Sequence, residues 1–449
     1  MKFFKILLIP LCVGIVSMFY FPFEFRVLPG LNTKKMLAAM ALGILFFRMV
    51  EGRKLTVSKD FILLSIIAGL VSFAGIASVT INNTTDYTYA TYITSFWVWW
   101  AAAFSICQII KWVHGHIDWT HIINYLIAVC VFQCIITLIM DSNKAVKSAI
   151  NSIILQQDLV LWGNVRRLYG IGAALDVAGM RFAAVLVMIV FLLIHSDKGR
   201  SWYEYLLYSS AFIIITVAGN MIARTTLVGV IIALSYLLLI SVKQKFFQGE
   251  DATSTSTIWR WISVLVIISI PLITVLYQTD KRMHDNIRFA FEGFFNYVEK
   301  GKFNYSSNNR LREMYVWPDN AKTWIIGDGY FENPLDTDIH YTGEIVGGYY
   351  KSTDVGYSRL IFYFGILGLS FFSLLIARVA LVCTRKLPNQ SMLFALVLLL
   401  HFVIWAKVAS DLFLVFALFL CLGNENLNEN EDLSESTNEE DDVPLLSRA

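Results

Sequence analysis

The chain is poor in charge and in proline for its length. Of its 449 residues only 16% are charged and eight are proline, whereas 57% are hydrophobic. A soluble core cannot cover that much apolar surface, so the composition excludes an ordinary soluble globular protein. The sequence also has no P-loop and no GxGxxG element after a strand. We therefore expect no nucleotide cofactor and no nucleic-acid partner.

The cysteines show neither metal-ligand spacing nor the pattern of a disulfide framework. All six fall inside apolar stretches, at Cys12, Cys107, Cys130, Cys134, Cys383 and Cys421. They are interpreted as small apolar packing residues. The prediction is a protein without disulfides, without a bound metal and without any other cofactor.

Long apolar runs make up most of the sequence. A bilayer is crossed by a helix of about 20 apolar residues, and about twelve stretches approach that length. They lie at 4–22, 36–50, 61–80, 92–112, 119–140, 178–195, 205–223, 226–242, 259–277, 357–383, 391–407 and 408–422. The second and the last are short. The sequence predicts an all-α integral membrane protein with about twelve transmembrane helices, in a polytopic domain of residues 1–423.

The orientation follows from the basic residues of the short loops. One side of the membrane holds Lys2, Lys5, Arg48, Arg53, Lys54, Lys59, Lys111, Lys198, Arg200, Lys243, Lys245, Arg260, Arg385 and Lys386. The other side holds Arg26, Lys34, Lys35, Arg224 and Lys407. The positive-inside tendency makes the first side cytoplasmic and places both termini there. The first run is long and lacks a small-residue cleavage site, so an uncleaved anchor is favoured over a signal peptide.

Three segments lie outside the predicted helices. Residues 424–449 are strongly acidic and have little apolar surface, which predicts a disordered cytoplasmic tail. On the opposite side of the membrane are a smaller loop, 141–177, and a large loop, 278–355, between the ninth and tenth spans. The large loop carries nine basic residues, Lys281, Arg282, Arg288, Lys300, Lys302, Arg310, Arg312, Lys322 and Lys351. Because insertion disfavours basic residues on that side, their presence indicates an anionic ligand.

Arginines near the outer boundary of the membrane are the first candidate binding residues. Arg166 and Arg167 follow Trp162 and could grip a phosphate in a bidentate way, although interfacial anchoring would also explain them. Arg224 lies in a hinge between two spans that is too short to leave the membrane boundary. A charge there indicates function unless it snorkels to the interface.

The large loop has helical and turn patterns. Residues 287–298 have apolar side chains at helical spacing, which predicts a helix on the bilayer surface or packed against the spans. Residues 306–315 predict a capped helix with Arg310 and Arg312 in its first turns, either an anion site or a solvated face. Residues 324–330 predict a short strand or a turn closed by two glycines.

The last candidates lie at the ends of the final spans. Asp354 and Arg359 flank the start of a span and could act as a general base and a phosphate partner, or as a helix cap and an anchor. Lys407 and Asp411 are four residues apart, so on a helix they could neutralise each other as a structural ion pair.

Four patches, in order along most of the chain, resemble the O-antigen polymerase and O-antigen ligase superfamily. These are integral membrane glycosyltransferases that use undecaprenyl-diphosphate-linked glycans. The patches are Arg167-Leu168-Tyr169-Gly170; Ala223-Arg224-Thr225-Thr226-Leu227-Val228-Gly229; Asn309-Arg310 followed by Ile326-Gly327-Asp328-Gly329-Tyr330; and Asp354-Val355-Gly356-Tyr357 before Phe364-Gly365-Ile366-Leu367-Gly368.

The resemblance implies a fold, a location and partners. It implies a GT-C-like membrane glycosyltransferase architecture in the bacterial inner membrane, with both long loops periplasmic. The implied substrate is an undecaprenyl-diphosphate-linked glycan of lipopolysaccharide or exopolysaccharide biosynthesis, and a chain-length regulator protein is an implied partner. Arg167, Arg224 and Arg310 or Arg312 would cradle the diphosphate, with Arg166, Arg359, Lys407 and Asp411 as further binding residues.

One departure separates the two activities of the superfamily. Its ligases carry a histidine in a His-Asn-x-x-Leu context near the end of the large loop, where this chain has Ser352-Thr353-Asp354-Val355-Gly356. The expected function is therefore repeat-unit polymerisation, with Asp354 as the first candidate base and His340 as the second. The alternatives are an O-antigen ligase, a lipid-linked glycan flippase or transporter, and a non-catalytic scaffold.

Overall fold

The structure is a computed structural model that describes residues 2–52, 57–155, 168–195, 201–247, 253–302, 311–333 and 348–422. Its helices are α1 Lys2–Tyr20, α2 Thr33–Val50, α3 Lys59–Asn82, α4 Tyr92–His114, α5 Trp119–Ser142, α6 Lys144–Ile153, α7 Leu175–Ile194, α8 Trp202–Ile222, α9 Thr226–Phe247, α10 Thr253–Thr279, α11 Lys281–Ala290, α12 Glu292–Lys300, α13 Ala321–Ile325, α14 Gly356–Lys386, α15 Ser391–Trp405 and α16 Phe413–Leu420. Two short strands, β1 Glu24–Phe25 and β2 Ile154–Leu155, pair antiparallel.

The prediction of a helical membrane protein is confirmed at this level. In the described ranges nine helices are long and apolar enough to cross a membrane: α3, α4, α5, α7, α8, α9, α10, α14 and α15. The predicted count of twelve is not confirmed. Helix α16 has eight residues, and at 1.5 Å per residue it covers about 12 Å, well short of the roughly 30 Å hydrocarbon core.

Helix α7 is the centre of the bundle. In the most apolar 18-residue stretch of α7, 89% of the residues are buried, whereas in that of α10 only 6% are. Helix α7 is therefore packed on all sides, and α10 exposes its apolar face. The helix is apolar all round, as buried helices are. Its approach to α9 is close at Gly229, where an added Cβ would lie 2.3 Å from the Cα of Ala183.

Helix α14 is broken near its start. Phe364 and Gly365 leave helical geometry, and Gly365 has a φ of +68°. A Cβ at Gly365 would meet the carbonyl oxygen of Ile325 at 2.1 Å, so only glycine allows α13 to approach the break. The break frees backbone carbonyls that would otherwise bond within the helix.

The freed carbonyls of α14 bind the glycine turn of the large loop. The amide of Asp328 donates to the carbonyl of Phe362 at 2.6 Å, and the amide of Gly329 donates to that of Tyr363 at 3.1 Å. Gly327 and Gly329 both have positive φ. Of residues 324–330, Trp324 and Ile325 end α13 and the remainder forms the predicted turn and not the strand. This turn docks the loop onto the membrane domain.

The helix predicted over 287–298 is present as two short helices. Helix α11 ends at Ala290 and α12 begins at Glu292. Of the apolar side chains at helical spacing, Ile287 packs inside the protein, whereas Phe294 and Val298 are exposed, so packing against the spans accounts for only part of this face. The large loop thus begins with two short amphipathic helices, directly after α10.

Candidate functional site

Arg181 is a buried cation near the start of α7. Its side chain is 6% exposed, and its guanidinium lies 5.7 Å from the ring centre of Phe21 and 5.9 Å from that of Trp99. The Nε atom makes no hydrogen bond with the described residues. None of the ion pairs found among those residues includes Arg181. In the part of the chain that the structure describes, the guanidinium is thus held against aromatic rings without a salt-bridge partner.

Lys34 and Asp411 complete this group, which we call the buried cation cluster (Lys34, Arg181 and Asp411 around Trp99). The Lys34 ammonium, from the first turn of α2, lies 4.7 Å from the Trp99 ring. Asp411 accepts hydrogen bonds from the Tyr92 hydroxyl and from the Phe413 amide, both at 2.7 Å. Both cations interact electrostatically with Asp411. The cluster therefore holds two cations and one carboxylate.

Lys407 belongs to a neighbouring group, the lysine cluster (Lys407, Asp176 and Thr225). Its Nζ lies 2.8 Å from Oδ1 of Asp176 and donates to Oγ1 of Thr225 at 2.6 Å. The Thr225 hydroxyl also donates to Asp176. The cluster joins the start of α7, the hinge between α8 and α9, and the segment after α15.

The predicted ion pair between Lys407 and Asp411 is wrong. The pairing required both residues on one helix, but α15 ends at Trp405 and the next helix begins at Phe413. The chain between them is not helical, so the two side chains separate. Lys407 binds Asp176 and Asp411 binds Tyr92.

Arg359 forms a third group, the loop arginine cluster (Arg359, Asp354, Glu332, Phe331 and Tyr349). Its guanidinium lies 3.6 Å from the ring centre of Phe331 and 4.2 Å from that of Tyr349. It donates to the carbonyl of Phe331 at 3.0 Å. Asp354 and Glu332 each approach it only to 3.8 Å, a distance longer than a charge-assisted hydrogen bond.

Asp354 lies at the edge of this cluster. The helix-cap alternative does not apply, because the N-cap of α14 is Val355, without a side-chain cap bond. The hydroxyl of Thr353 instead accepts from the Val355 amide at 3.3 Å. The Asp354 side chain is 17% exposed. A carboxylate held near an arginine and reachable from outside can accept a proton.

Two tyrosines, the buried Tyr89 and the half-buried Tyr349, connect the three clusters. Tyr89 interacts electrostatically with Asp411 and Arg359, and burial raises its pKa. Tyr349 interacts with Asp354, Arg359 and Asp176; burial, followed by the Asp354 charge, raises its pKa to about 12. Both phenols are therefore neutral at physiological pH. The three clusters form one polar region at the ends of α2, α4, α7, α14 and α15, which we call the outer polar region after the orientation that the sequence predicts.

Arg224 lies beside this region, but its side chain points toward the short helices α11 and α12. Its Nη2 lies 2.6 Å from Oε2 of Glu292, and its Nε donates to the carbonyl of Phe289 at 2.9 Å. Its guanidinium is 4.1 Å from the Phe289 ring centre. Arg224 therefore ties the hinge between α8 and α9 to the short helices α11 and α12.

The other predicted residues are placed as follows. Asp354, Arg359, Lys407 and Asp411 come together in the outer polar region, whereas Arg312 is exposed on the large loop. Arg166, Arg167, Arg310 and His340 lie outside the described residues, as does the predicted acidic tail, residues 424–449.

Arg181, Lys34 and Asp176 were not among the predicted site residues. Each had a signal in the sequence. Arg181 is a charge within an apolar run, Lys34 belongs to the few basic residues of the outer short loops, and Asp176 precedes the same run as Arg181. Because their partners are remote in the sequence, spacing alone could not bring them together.

No family model matches this chain, and comparisons with curated proteins and with solved structures gave no match. The assignment of function therefore depends on the residues of the outer polar region and on the four patches described above.

Proposed function

We propose that the protein is a membrane glycosyltransferase that polymerises undecaprenyl-diphosphate-linked repeat units at the periplasmic face. The observation that carries this proposal is Arg181, a nine-tenths buried arginine that forms no ion pair among the described residues. Asp411 is the one carboxylate set against the two cations of the buried cation cluster, so among the described residues of the cluster one positive charge is left uncompensated, which is costly. An anionic group of the substrate would remove that cost by binding there.

The chemistry of the donor explains why buried cations are useful. When the sugar is transferred, the bond from its anomeric carbon to the diphosphate oxygen breaks and the lipid diphosphate gains negative charge. Fixed cations in a site with little water stabilise that developing charge. Arginine suits this role because it keeps its charge when partly desolvated. Arg181, with Lys34 beside it, is our candidate for this stabilisation.

Asp354 is the candidate base for the acceptor. The hydroxyl of the acceptor sugar must lose a proton as it attacks, and a positioned carboxylate can take it. Arg359 lies 3.8 Å from Asp354, and its stacking between Phe331 and Tyr349 fixes its position. Arg166, Arg167, Arg310 and Arg312 keep the substrate-binding roles that the superfamily resemblance implies. Arg224, which is paired with Glu292, has a structural role in this proposal.

Two features favour a polymerase over its alternatives. The His-Asn context of the ligases is replaced by Thr353-Asp354-Val355, which favours polymerisation over ligation to lipid A core. The charges of the outer polar region gather at one end of the helices. Flippases and carriers instead place their binding groups near the bilayer midplane, between repeated halves.

The test is glycan chain length in a deletion strain complemented with variants. The wild-type chain should restore long polymer, whereas Arg181→Gln should leave single-repeat glycan at an unchanged protein level. Arg385→Gln is the matched control, because Arg385 pairs with Asp60 at 3.0 Å at the opposite end of α14. Long polymer from Arg181→Gln would refute the role of this arginine. Free undecaprenyl-linked polymer in the deletion strain would indicate a ligase, and cytoplasmic accumulation of repeat units a flippase.

A further inference from the structure

Histidine is concentrated in one short turn. Of the seven histidines in the chain, three lie in His114-Gly115-His116-Ile117-Asp118-Trp119-Thr120-His121, where α4 ends and α5 begins. The proposed glycosyl transfer uses none of them. Helix α4 separates this turn from Tyr92 and Asp411, and its 23 residues span about 35 Å. The turn is therefore remote from the outer polar region.

The side chains of His116, Asp118 and His121 converge. Each offers a ligand atom, and these atoms all lie within 4.8 Å of one another. Nδ1 of His121 is 2.8 Å from Oδ1 of Asp118, and the rings of His116 and His121 are 4.9 Å apart between centres. Two ligands bound to one zinc ion, at roughly 2.0–2.1 Å each, lie about 3 Å apart. Small movements of these side chains would thus bring all three onto one ion.

Asp118 can bind an ion without losing its structural role. Its Oδ1 caps α5 by accepting from the His121 amide at 2.8 Å and from the Thr120 hydroxyl at 2.7 Å. Its Oδ2 accepts no hydrogen bond from the residues that the structure describes. The cap therefore holds the carboxylate in place with one oxygen and leaves the other for a ligand.

A neighbouring histidine supports the ring of His121. The ring centres of His114 and His121 are 4.6 Å apart. His114 is itself held, since its Nε2 lies 2.9 Å from the Tyr125 hydroxyl. Such contacts behind a ligand restrict its orientation and strengthen metal binding.

We propose that His116, Asp118 and His121 bind one divalent transition-metal ion of the zinc class. Two imidazoles and a carboxylate are ligands that suit zinc, with water in the fourth position, whereas magnesium and calcium prefer oxygen ligands alone. The ion would cross-link the loop residue His116 to the first turn of α5. It would act as a clamp on the α4–α5 hairpin at the end of the bundle opposite to the proposed catalytic site.

Zinc binding is measured on the full chain, purified in detergent and stripped with a chelator. We expect about one zinc ion per chain after desalting, and a rise in the midpoint of thermal unfolding when zinc is added, because the ion binds the folded state. Magnesium at the same concentration should produce neither effect. A chain that retains no zinc and shows no zinc-dependent shift overturns the proposal.

Three variants separate metal binding from folding. His116→Ala removes an exposed ligand, and Asp118→Asn keeps a good N-cap residue while removing the charge. Each should weaken zinc binding by about 10-fold or more. His284→Ala, on α11, is the control and should bind zinc like the wild type. Equal zinc binding by wild type and both cluster variants would mean that the turn is held by hydrogen bonds alone.

Discussion

Arg181 and Arg224 lie near the same end of the bundle, yet their surroundings differ. Arg224 has a carboxylate at 2.6 Å and a backbone carbonyl at 2.9 Å. Arg181 has aromatic rings, a second cation and one carboxylate, Asp411, that it shares with that cation, and it forms no ion pair among the described residues. A charge already held by its own carboxylate has little to gain from a charged ligand, whereas a cluster with excess positive charge suits one. The comparison therefore assigns Arg224 to docking of the large loop and Arg181 to the substrate.

The two carboxylates Glu292 and Asp354 differ in the same way as the two arginines. Replacing Asp354 should cause the largest loss of turnover among the four sets of variants that follow. Glu292 lies 2.6 Å from Arg224, whereas Asp354 lies 3.8 Å from Arg359 and its side chain is 17% exposed, so an acceptor hydroxyl can reach it. Asp354→Asn should lower polymer turnover by about 100-fold while the affinity for the lipid-linked donor stays close to that of the wild type. Turnover and donor affinity are measured on purified protein. An unchanged rate would transfer the role of base to His340 or to substrate alignment.

Lys34 tests whether the buried cation cluster acts as a unit. Lys34→Gln removes one of its two cations, and Arg181 and Asp411 remain. We expect about a 10-fold loss of turnover, smaller than for Arg181→Gln, because Lys34 contributes charge beside the arginine without replacing it. Lys35→Gln, one residue further along α2, is the control. Equal losses for Lys34→Gln and Lys35→Gln would mean that the surface charge matters and the cluster does not.

The ion pair of Arg224 can be broken from either side. Arg224→Ala and Glu292→Ala should each lower the free energy of unfolding by about 1–3 kcal/mol, because each leaves a partly buried charged group unpaired. The two variants should reduce polymer length to a similar extent. The exchange Arg224→Glu with Glu292→Arg should restore part of both losses. If Arg224→Ala abolishes polymer and Glu292→Ala does not, Arg224 belongs to the substrate cradle that the sequence predicted.

The smallest effect is expected at Arg385. This arginine pairs with Asp60 at 3.0 Å, and its side chain is 55% exposed. Exposed ion pairs contribute little to stability. Arg385→Gln should leave both polymer length and the thermal unfolding midpoint unchanged. A clear loss of polymer would show that replacing any arginine of the membrane domain impairs the protein, which would remove the contrast between Arg181 and Arg224.

The sequence was sufficient for the helical membrane class, because composition and apolar runs determine it directly. Charges at the start of a span also drew attention to Asp354 and Arg359, which the structure places 3.8 Å apart; their roles in the site stay a prediction. The sequence failed for Lys407 and Asp411, where spacing of four suggested a helix. The chain leaves α15 at Trp405 instead, and each residue finds a partner on another helix.

Long-range pairing explains the rest of what the sequence could not provide. The partners of Arg224 lie 65 and 68 positions further along the chain, at Phe289 and Glu292. Arg181 was missed because its position in the sequence suggested an ordinary location at the membrane interface. An arginine near the end of an apolar run is expected to snorkel to the interface, and only the packing around α7 reveals that its side chain is buried against Phe21 and Trp99.

Binding of undecaprenyl diphosphate to the purified protein tests the central claim most directly. The wild type, Arg181→Gln and Arg224→Ala are compared at one detergent and salt concentration. We predict at least about a 10-fold loss of affinity for Arg181→Gln, because a desolvated guanidinium makes strong hydrogen bonds to phosphate, and near wild-type affinity for Arg224→Ala. Wild-type affinity for Arg181→Gln together with a large loss for Arg224→Ala would contradict the assignment of the two arginines.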